Sequence, residues 1–253
     1  MECGLGGAGQ PAVEAEGVWK RLGGRWVLKD VSLTVPRGSV YGVVGPNGAG
    51  KTTLFRTLLG LYRADRGRVA LLGEPVERAG GSLFRRVAYL PEDGEPYRNM
   101  TGHEFLRLYA SIYGVEDLEG YLEEASRLSG LGGRLGERVR SYSKGMRRRL
   151  LVAAMLALKP SLAVLDEPTA GLDPVYSVGI RRLLKEYSER HGVTVLLSSH
   201  NMYEVESVCS EITMISSGRI VYSGSPGEAV RRTGASSLEE AYVALVTGGG
   251  GES

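Results

Sequence analysis

The run Gly45-Pro46-Asn47-Gly48-Ala49-Gly50-Lys51-Thr52 has the spacing G-x-x-x-x-G-K-[ST], and its residue types suit the binding of a triphosphate. Glycines admit positive φ, so successive backbone N–H groups can turn inward as a nest for anionic oxygens. The helix expected to follow aims its positive end at the same point. Lys51 then reaches the β- and γ-phosphates, the Thr52 hydroxyl ligates Mg2+, and Thr53 lies near the α-phosphate. The apolar run Val40–Val44 supplies the strand that such a loop must leave.

Further along, Leu162–Leu165 is apolar and is followed by Asp166 and Glu167. A strand buried on both faces carries Asp166 to its C-terminal tip, where α/β sheets bind ligands. There Asp166 holds the Mg2+ shell, and Glu167 takes a proton from the attacking water. Taken alone, the same string is also an ordinary strand end with a helix-capping acid; the phosphate loop decides between the two. Val193–Ser199 ends in the same manner at His200. An isolated histidine at a strand end is usually a surface residue, but beside Lys51 and Asp166 it can donate a hydrogen bond to a γ-phosphate. Ser143 and Gly145 open a helix just before Arg147, Arg148 and Arg149. With Ser143 at the N-cap and Gly145 in the first turn, N–H groups remain for an anion that nothing nearby supplies. The three arginines themselves read as a solvated or domain-bridging basic turn.

These groups need particular elements to position them. Val13–Trp19 and Val27–Val35 alternate like half-buried antiparallel strands. A helix is predicted over 52–61, with short strands over 68–72 and 86–89. Between about Pro91 and Pro160 helical periodicity takes over. Thr101 and Glu104 form a capping box for a helix with Phe105, Leu108 and Ile112 on one face. Tyr121, Leu122, Ala125 and Leu128 mark a second helix, and a third runs from Ser143 to Lys159. Strands return at 162–165, 193–198 and 211–216. Ser236 and Glu239 then cap a last helix with Leu238, Tyr242 and Leu245 facing inward. The pattern is α/β, a mixed sheet with an N-terminal antiparallel β layer and an all-helical insertion. The expected divisions are a core over 12–91 and 160–232, the helical piece over 92–159, and a C-terminal helix with a Gly-rich tail over 233–253. The first dozen residues and the tail from Thr247 read as flexible.

Taken in order, the phosphate loop, the serine-capped helix at Ser143, the Asp166-Glu167 pair and His200 resemble the ATP-binding cassette (ABC) ATPases, the nucleotide-binding subunits of ABC transporters. The likeness runs from about Ala12 to Val246. It implies a RecA-like P-loop NTPase fold, ATP and Mg2+ as cofactors, and a head-to-tail dimer with two ATP molecules sandwiched. Each ATP lies between the phosphate loop of one protomer and the signature segment of the other, here Tyr142–Met146, which accounts for the unfilled anion site at Ser143 and Gly145. Ala170–Asp173 is similar to the D-loop, with Asp173 its acid, and His200 to the switch histidine. Three departures stand out. The signature carries Lys144 and Met146 where the family commonly has Gly and Gln. Glu92 stands where a glutamine usually senses Mg2+ and water; a carboxylate can still ligate Mg2+, but it adds negative charge beside the phosphates. Leu22 falls where an aromatic usually stacks on adenine, with Trp19 and Trp26 as possible substitutes. Together with the C-terminal Ser237–Tyr242 segment, these features resemble the export branch served by a separate ABC-2-like permease.

Composition sets the outer limits. The chain has 253 residues and a net charge of +2, too balanced for a dedicated nucleic-acid binder. Its longest apolar run, Leu150–Leu158, is nine residues, far short of the roughly 20 that span a bilayer. Cys3 and Cys209 form neither a pair motif nor a disulfide framework, which suits a reducing compartment. The expectation is a cytoplasmic ATPase, peripheral on the inner face of the cell membrane. Its partners are a transmembrane permease, contacted through Tyr97, Met100 and Phe105, and a second ATP-binding subunit, identical or not. The alternative is a soluble single-cassette ABC-type ATPase acting in assembly or regulation.

Overall fold

The computed structural model describes residues 10–248. β1 (Val13–Leu22) and β2 (Arg25–Val35) form an antiparallel hairpin that turns at Gly23 and Gly24. Both glycines have positive φ, as a tight primed turn demands. β3 (Val40–Val44) leads into α1 (Lys51–Leu58), and then come β4 (Arg66–Leu71), β5 (Glu74–Pro75), α2 (Gly81–Phe84) and β6 (Val87–Leu90). Helices α3 (Gly102–Tyr113), α4 (Leu118–Ser129) and α5 (Lys144–Leu156) follow. The chain returns through β7 (Leu162–Leu165), α6 (Pro174–His191), β8 (Thr194–Ser199), α7 (Met202–Val208), β9 (Glu211–Ser216) and β10 (Arg219–Gly224). It closes with α8 (Pro226–Thr233) and α9 (Leu238–Gly248).

Two sheets result. One is antiparallel, in the order β2-β1-β4-β5; the other runs β10-β9-β3-β8-β7-β6 and is parallel except where β10 pairs with β9. β3, β7 and β8 are buried along their whole lengths, as strands covered on both faces must be. Their side chains divide by alternation. Val40, Val44, Ala163, Leu165, Val195 and Leu197 face the core shared with α3 to α6, whereas Tyr41, Val43, Leu162, Val164 and Leu196 face α1 and the antiparallel sheet. Register then fixes the site: Val44 pairs with Ser199 and Leu165 with Leu197, so the tips of β3, β7 and β8 lie side by side.

Several expectations need correction. On α3 the buried residues are Phe105, Leu106 and Ala110, while Ile112 is 67% exposed. The cap of α9 is one residue later than expected: Ser237 Oγ accepts from the Glu240 N–H, and Glu240 reaches back to the Ser236 N–H. Ala12 is buried, and its N–H donates to Val35 O, so the ordered chain begins before the end of the stretch read as flexible. At the other end, Thr247 and Gly248 still belong to α9. The flexibility expected of 1–9 and 249–253, and Cys3 with it, lies outside the described residues. β5, β10, α2, α6, α7 and α8 are not among the elements expected from the sequence. Among the described residues, no helix is long and apolar enough to cross a membrane.

Candidate functional site

The loop between β3 and α1 takes its shape from glycines at two kinds of position. Gly48 and Gly50 have φ of +80° and +110°. Gly45 instead faces a steric limit, since a Cβ there would lie 2.3 Å from the Ile215 carbonyl oxygen. Gly50 is the N-cap of α1 and offers no side chain to the first turn. Seven other helices among the described residues have side-chain caps, from Thr101, Asp117, Ser143, Asp173, Asn201, Ser225 and Ser237. The leading N–H groups of α1 therefore have no side-chain acceptor and suit an anion. Asn47, Gly48, Gly50, Lys51, Thr52 and Thr53, with Val27, Glu92 and Glu167, line a cleft of about 320 Å³. Ala49 is buried behind it, and Pro46 borders an adjoining hollow beside His200.

Lys51 is buried, and its Nζ donates to the carbonyls of Gly45 at 2.7 Å and Pro46 at 3.3 Å. It also forms an ion pair with Glu167 Oε1 at 3.1 Å, outside hydrogen-bond angles. The other carboxylate oxygen of Glu167 lies 2.9 Å from His200 Nδ1. Lys51, Glu167 and His200, from three neighbouring strand ends, thus form one chain of contacts. Glu167 has φ +47°, a left-handed backbone that a side chain adopts only under constraint. Three bonds hold it there: its N–H donates to Ser198 Oγ at 2.9 Å, and its carbonyl accepts from Arg148 Nη2 at 2.9 Å and from the Ala170 N–H at 3.2 Å.

Ser198 Oγ also donates to Asp166 Oδ1 at 2.5 Å. Asp166 is fully buried, and its Oδ2 has no hydrogen-bond partner. An orphaned carboxylate oxygen at that depth fits a cation. Thr52 and Glu92 line the cleft, whereas Asp166 is outside its lining, buried beside Glu167 with one carboxylate oxygen fixed by Ser198. Among the described residues, no group of three or more His, Cys, Asp or Glu could hold a metal ion alone. That sparse donor set matches Mg2+, which is usually bound through one or two carboxylates and completed by substrate phosphates.

Ser143, Gly145 and Asp173 do not line this cleft. Ser143 is the exposed N-cap of α5 and accepts from the Met146 N–H at 3.2 Å. Gly145 is required by packing, because a Cβ would lie 2.4 Å from the Tyr176 ring laid across the helix start. Asp173 caps α6 by accepting from the N–H groups of Val175 and Tyr176. Leu22 sits at the hairpin tip opposite Arg25, away from the cleft; the apolar residue that reaches the cleft is Val27. Trp26, next to Val27 at a register shift of the hairpin, meets Trp19 edge to face at 5.2 Å, with Arg21 over its ring. Neither tryptophan lines the cleft.

Of the two readings of the arginine run, solvated or domain-bridging, the contacts of Arg148 fit the bridging one. Arg147 donates to Tyr142 O and lies 2.8 Å from Glu95, and Arg148 is 7% exposed with its guanidinium among main-chain carbonyls. Phe105, expected to meet a permease, lies in the core at 5% exposure, although Tyr97 is exposed. A separate apolar hollow of about 300 Å³ is lined by Leu59, Leu61, Phe84, Ile112 and Tyr113 among others. Ser198 and Arg148 are the site residues the sequence reading missed. A serine within an apolar strand and an arginine within an apolar helix are the signals that could have marked them.

Residues 28–170 match the ABC transporter family. The bacitracin transport ATP-binding protein BcrA of Enterococcus faecalis is 35% identical over 209 residues, spanning 83% of this chain and 68% of that protein. The linearmycin resistance ATP-binding protein LnrL of Bacillus subtilis is 31% identical, over 91% of this chain and 75% of its own. Nod factor export ATP-binding protein I of Bradyrhizobium diazoefficiens is 35% identical, over 85% and 71% respectively. A solved ATP-binding subunit of an ABC transporter superposes with a TM-score of 0.82 at 30% identity, covering 93% of this chain and 99% of that one.

Proposed function

The chain belongs to the ABC transporter family as one of its ATP-binding cassettes, and from that premise we propose that it hydrolyses ATP to drive export through a separate permease. The observation that carries the reading is Glu167, held between Lys51 Nζ at 3.1 Å and His200 Nδ1 at 2.9 Å at the wall of the phosphate-loop cleft. An arriving triphosphate offers Lys51 stronger anionic partners and takes it away from Glu167. The uncapped start of α1 and the Gly48–Gly50 backbone receive the phosphate oxygens. Thr52 and Asp166, with Glu92 at the edge, would hold Mg2+, which would supply positive charge against the phosphates. Glu167, released from Lys51, accepts a proton from water as the water oxygen attacks the γ-phosphorus. The bond from that phosphorus to the β–γ bridging oxygen breaks, and ADP leaves with the bridging oxygen. His200 turns from Glu167 to donate to a γ-phosphate oxygen.

The second nucleotide contact comes from another ATP-binding subunit. Ser143, at the N-terminus of α5, keeps a hydroxyl proton to donate, and Gly145 and the first turn add backbone N–H groups. Head-to-tail pairing would bring this edge to the partner's phosphates, with Asp173 and the neighbouring loop at the seam. The names of BcrA and Nod factor export protein I support transport and export respectively. The balanced charge gives no support to a nucleic-acid partner.

The test is Glu167→Gln, measured for ATP binding, dimer formation and turnover. Binding and ATP-dependent dimerisation should persist while turnover falls about 100-fold or more, as for loss of a general base. Substantial residual turnover would overturn the assignment of Glu167. Purification of the tagged chain from detergent-extracted membranes should bring a permease with it. Recovery only from the soluble fraction would favour an assembly or regulatory ATPase.

A further inference from the structure

Arg148 is charged, buried and surrounded by backbone. Its Nε donates to Pro168 O at 3.0 Å, Nη1 to Pro91 O at 2.9 Å and Glu92 O at 3.3 Å, and Nη2 to Asp166 O at 2.8 Å and Glu167 O at 2.9 Å. One planar fork from α5 therefore ties together the segments that leave β6 and β7. Those segments carry Glu92, Asp166 and Glu167. Burial pulls the guanidinium pKa below its usual value, while Asp166, Glu92, Glu95 and Glu167 oppose that pull, and the group stays cationic. A core anchor of this helix need not be charged, since Leu150, Val152 and Met155 already bury it.

Fork geometry matters at one acceptor above all. Glu167 carries the left-handed φ of +47°, and such a backbone persists only where its surroundings over-determine it. Ser198 grips the residue from its N–H; its carbonyl is held by the Ala170 N–H of the same loop and, from a different element, by Arg148. The Arg148 grip comes from the helix whose first residues follow Ser143. We propose that Arg148 is a positioning residue: through its fork the placement of α5 sets the backbone that aims Glu167 and Glu92, so that movement of the Ser143 end of α5 is felt at this chain's own carboxylates. This rests on the reading of Glu167 as the base.

The test compares wild type, Arg148→Lys and Arg148→Ala for ATP affinity, kcat and thermal unfolding, with and without millimolar guanidinium. Lysine keeps the charge but cannot span acceptors on two segments. Both variants should bind ATP within about 3-fold of wild type while kcat falls roughly 30-fold or more, the scale expected of a misaimed catalytic group. Guanidinium should restore part of kcat to Arg148→Ala and none to Arg148→Lys, whose side chain fills the space. Wild-type kcat in Arg148→Lys would overturn the proposal, as would a parallel loss of ATP affinity and kcat that guanidinium does not reverse. Should Arg148→Ala fail to fold, Arg148→Lys decides alone. A wild-type chain without ATPase activity would instead overturn the function on which the proposal stands.

Discussion

At the scale of single residues, Ser198 does two jobs with one hydroxyl. It donates to Asp166 Oδ1 and accepts from the Glu167 N–H, so the metal-side carboxylate and the proposed base share one support. Ser198→Ala leaves a buried N–H and a buried carboxylate oxygen unsatisfied. It should cost about 1–3 kcal/mol in urea unfolding and weaken Mg2+-dependent turnover more than ATP binding. Equal loss of both would mean that the serine only stabilises the strand. The contrast with its neighbours explains what could be read from the sequence. Gly45 to Thr53, and Asp166 with Glu167, announce themselves because their chemistry lies in contiguous strings. Ser198 acquires its meaning only when β8 pairs with β7, and Arg148 only when α5 packs under two strand tips. Leu22 ends at the tip of a bulged hairpin while Val27 lines the cleft, and spacing alone does not settle that.

At the scale of elements, helix punctuation was a better guide than apolar periodicity. The Thr101–Glu104 capping box is present as expected: Glu104 N–H donates to Thr101 Oγ1, and Thr101 N–H to Glu104 Oε2. The same bond from the Thr101 N–H holds the Glu104 carboxyl below its usual pKa. A carboxyl lowered on folding adds stability above its unfolded pKa and loses it as pH falls through the folded one. Glu104→Ala should therefore lower the melting temperature at neutral pH, and the gap from wild type should close in acid below the ordinary glutamate range. A gap independent of pH would mean that the side chain acts by packing. α6 was missed although Asp173, Pro174 and Gly192 mark both its ends, because its buried stripe of Ser177, Ile180, Leu184, Tyr187 and Ser188 contains two serines and reads as polar. α8 has the same signals in Ser225, Pro226 and Gly234. β10 follows a turn at Ser217 and Gly218, both with positive φ, which is a hairpin signal in its own right.

At the scale of the whole molecule, one hollow joins Leu59 and Leu61, just past α1, with Phe84 of α2 and with Ile112 and Tyr113 at the end of α3. Its floor includes Leu59 and Val87 of the core under the antiparallel sheet. Leu61 is 61% exposed and Ile112 67%, an apolar cost that a monomer has no folding reason to bear. Tyr97, Met100 and Phe105, the contact expected from the sequence, are not in the lining of the hollow, and Phe105 is core; exposed and core aromatics look alike before α3 is oriented. Under the proposed function this hollow is the surface to test for docking of the permease. Leu61→Glu and Ile112→Glu lie on the surface and away from the nucleotide cleft, so the isolated variants should melt and hydrolyse ATP as wild type does. Each should lose most recovery with membranes, and the double variant nearly all, as judged by the share of tagged chain that sediments with vesicles from cells expressing the permease. Undiminished sedimentation of the double variant would move the docking surface elsewhere, with the exposed Tyr97 as the next residue to substitute.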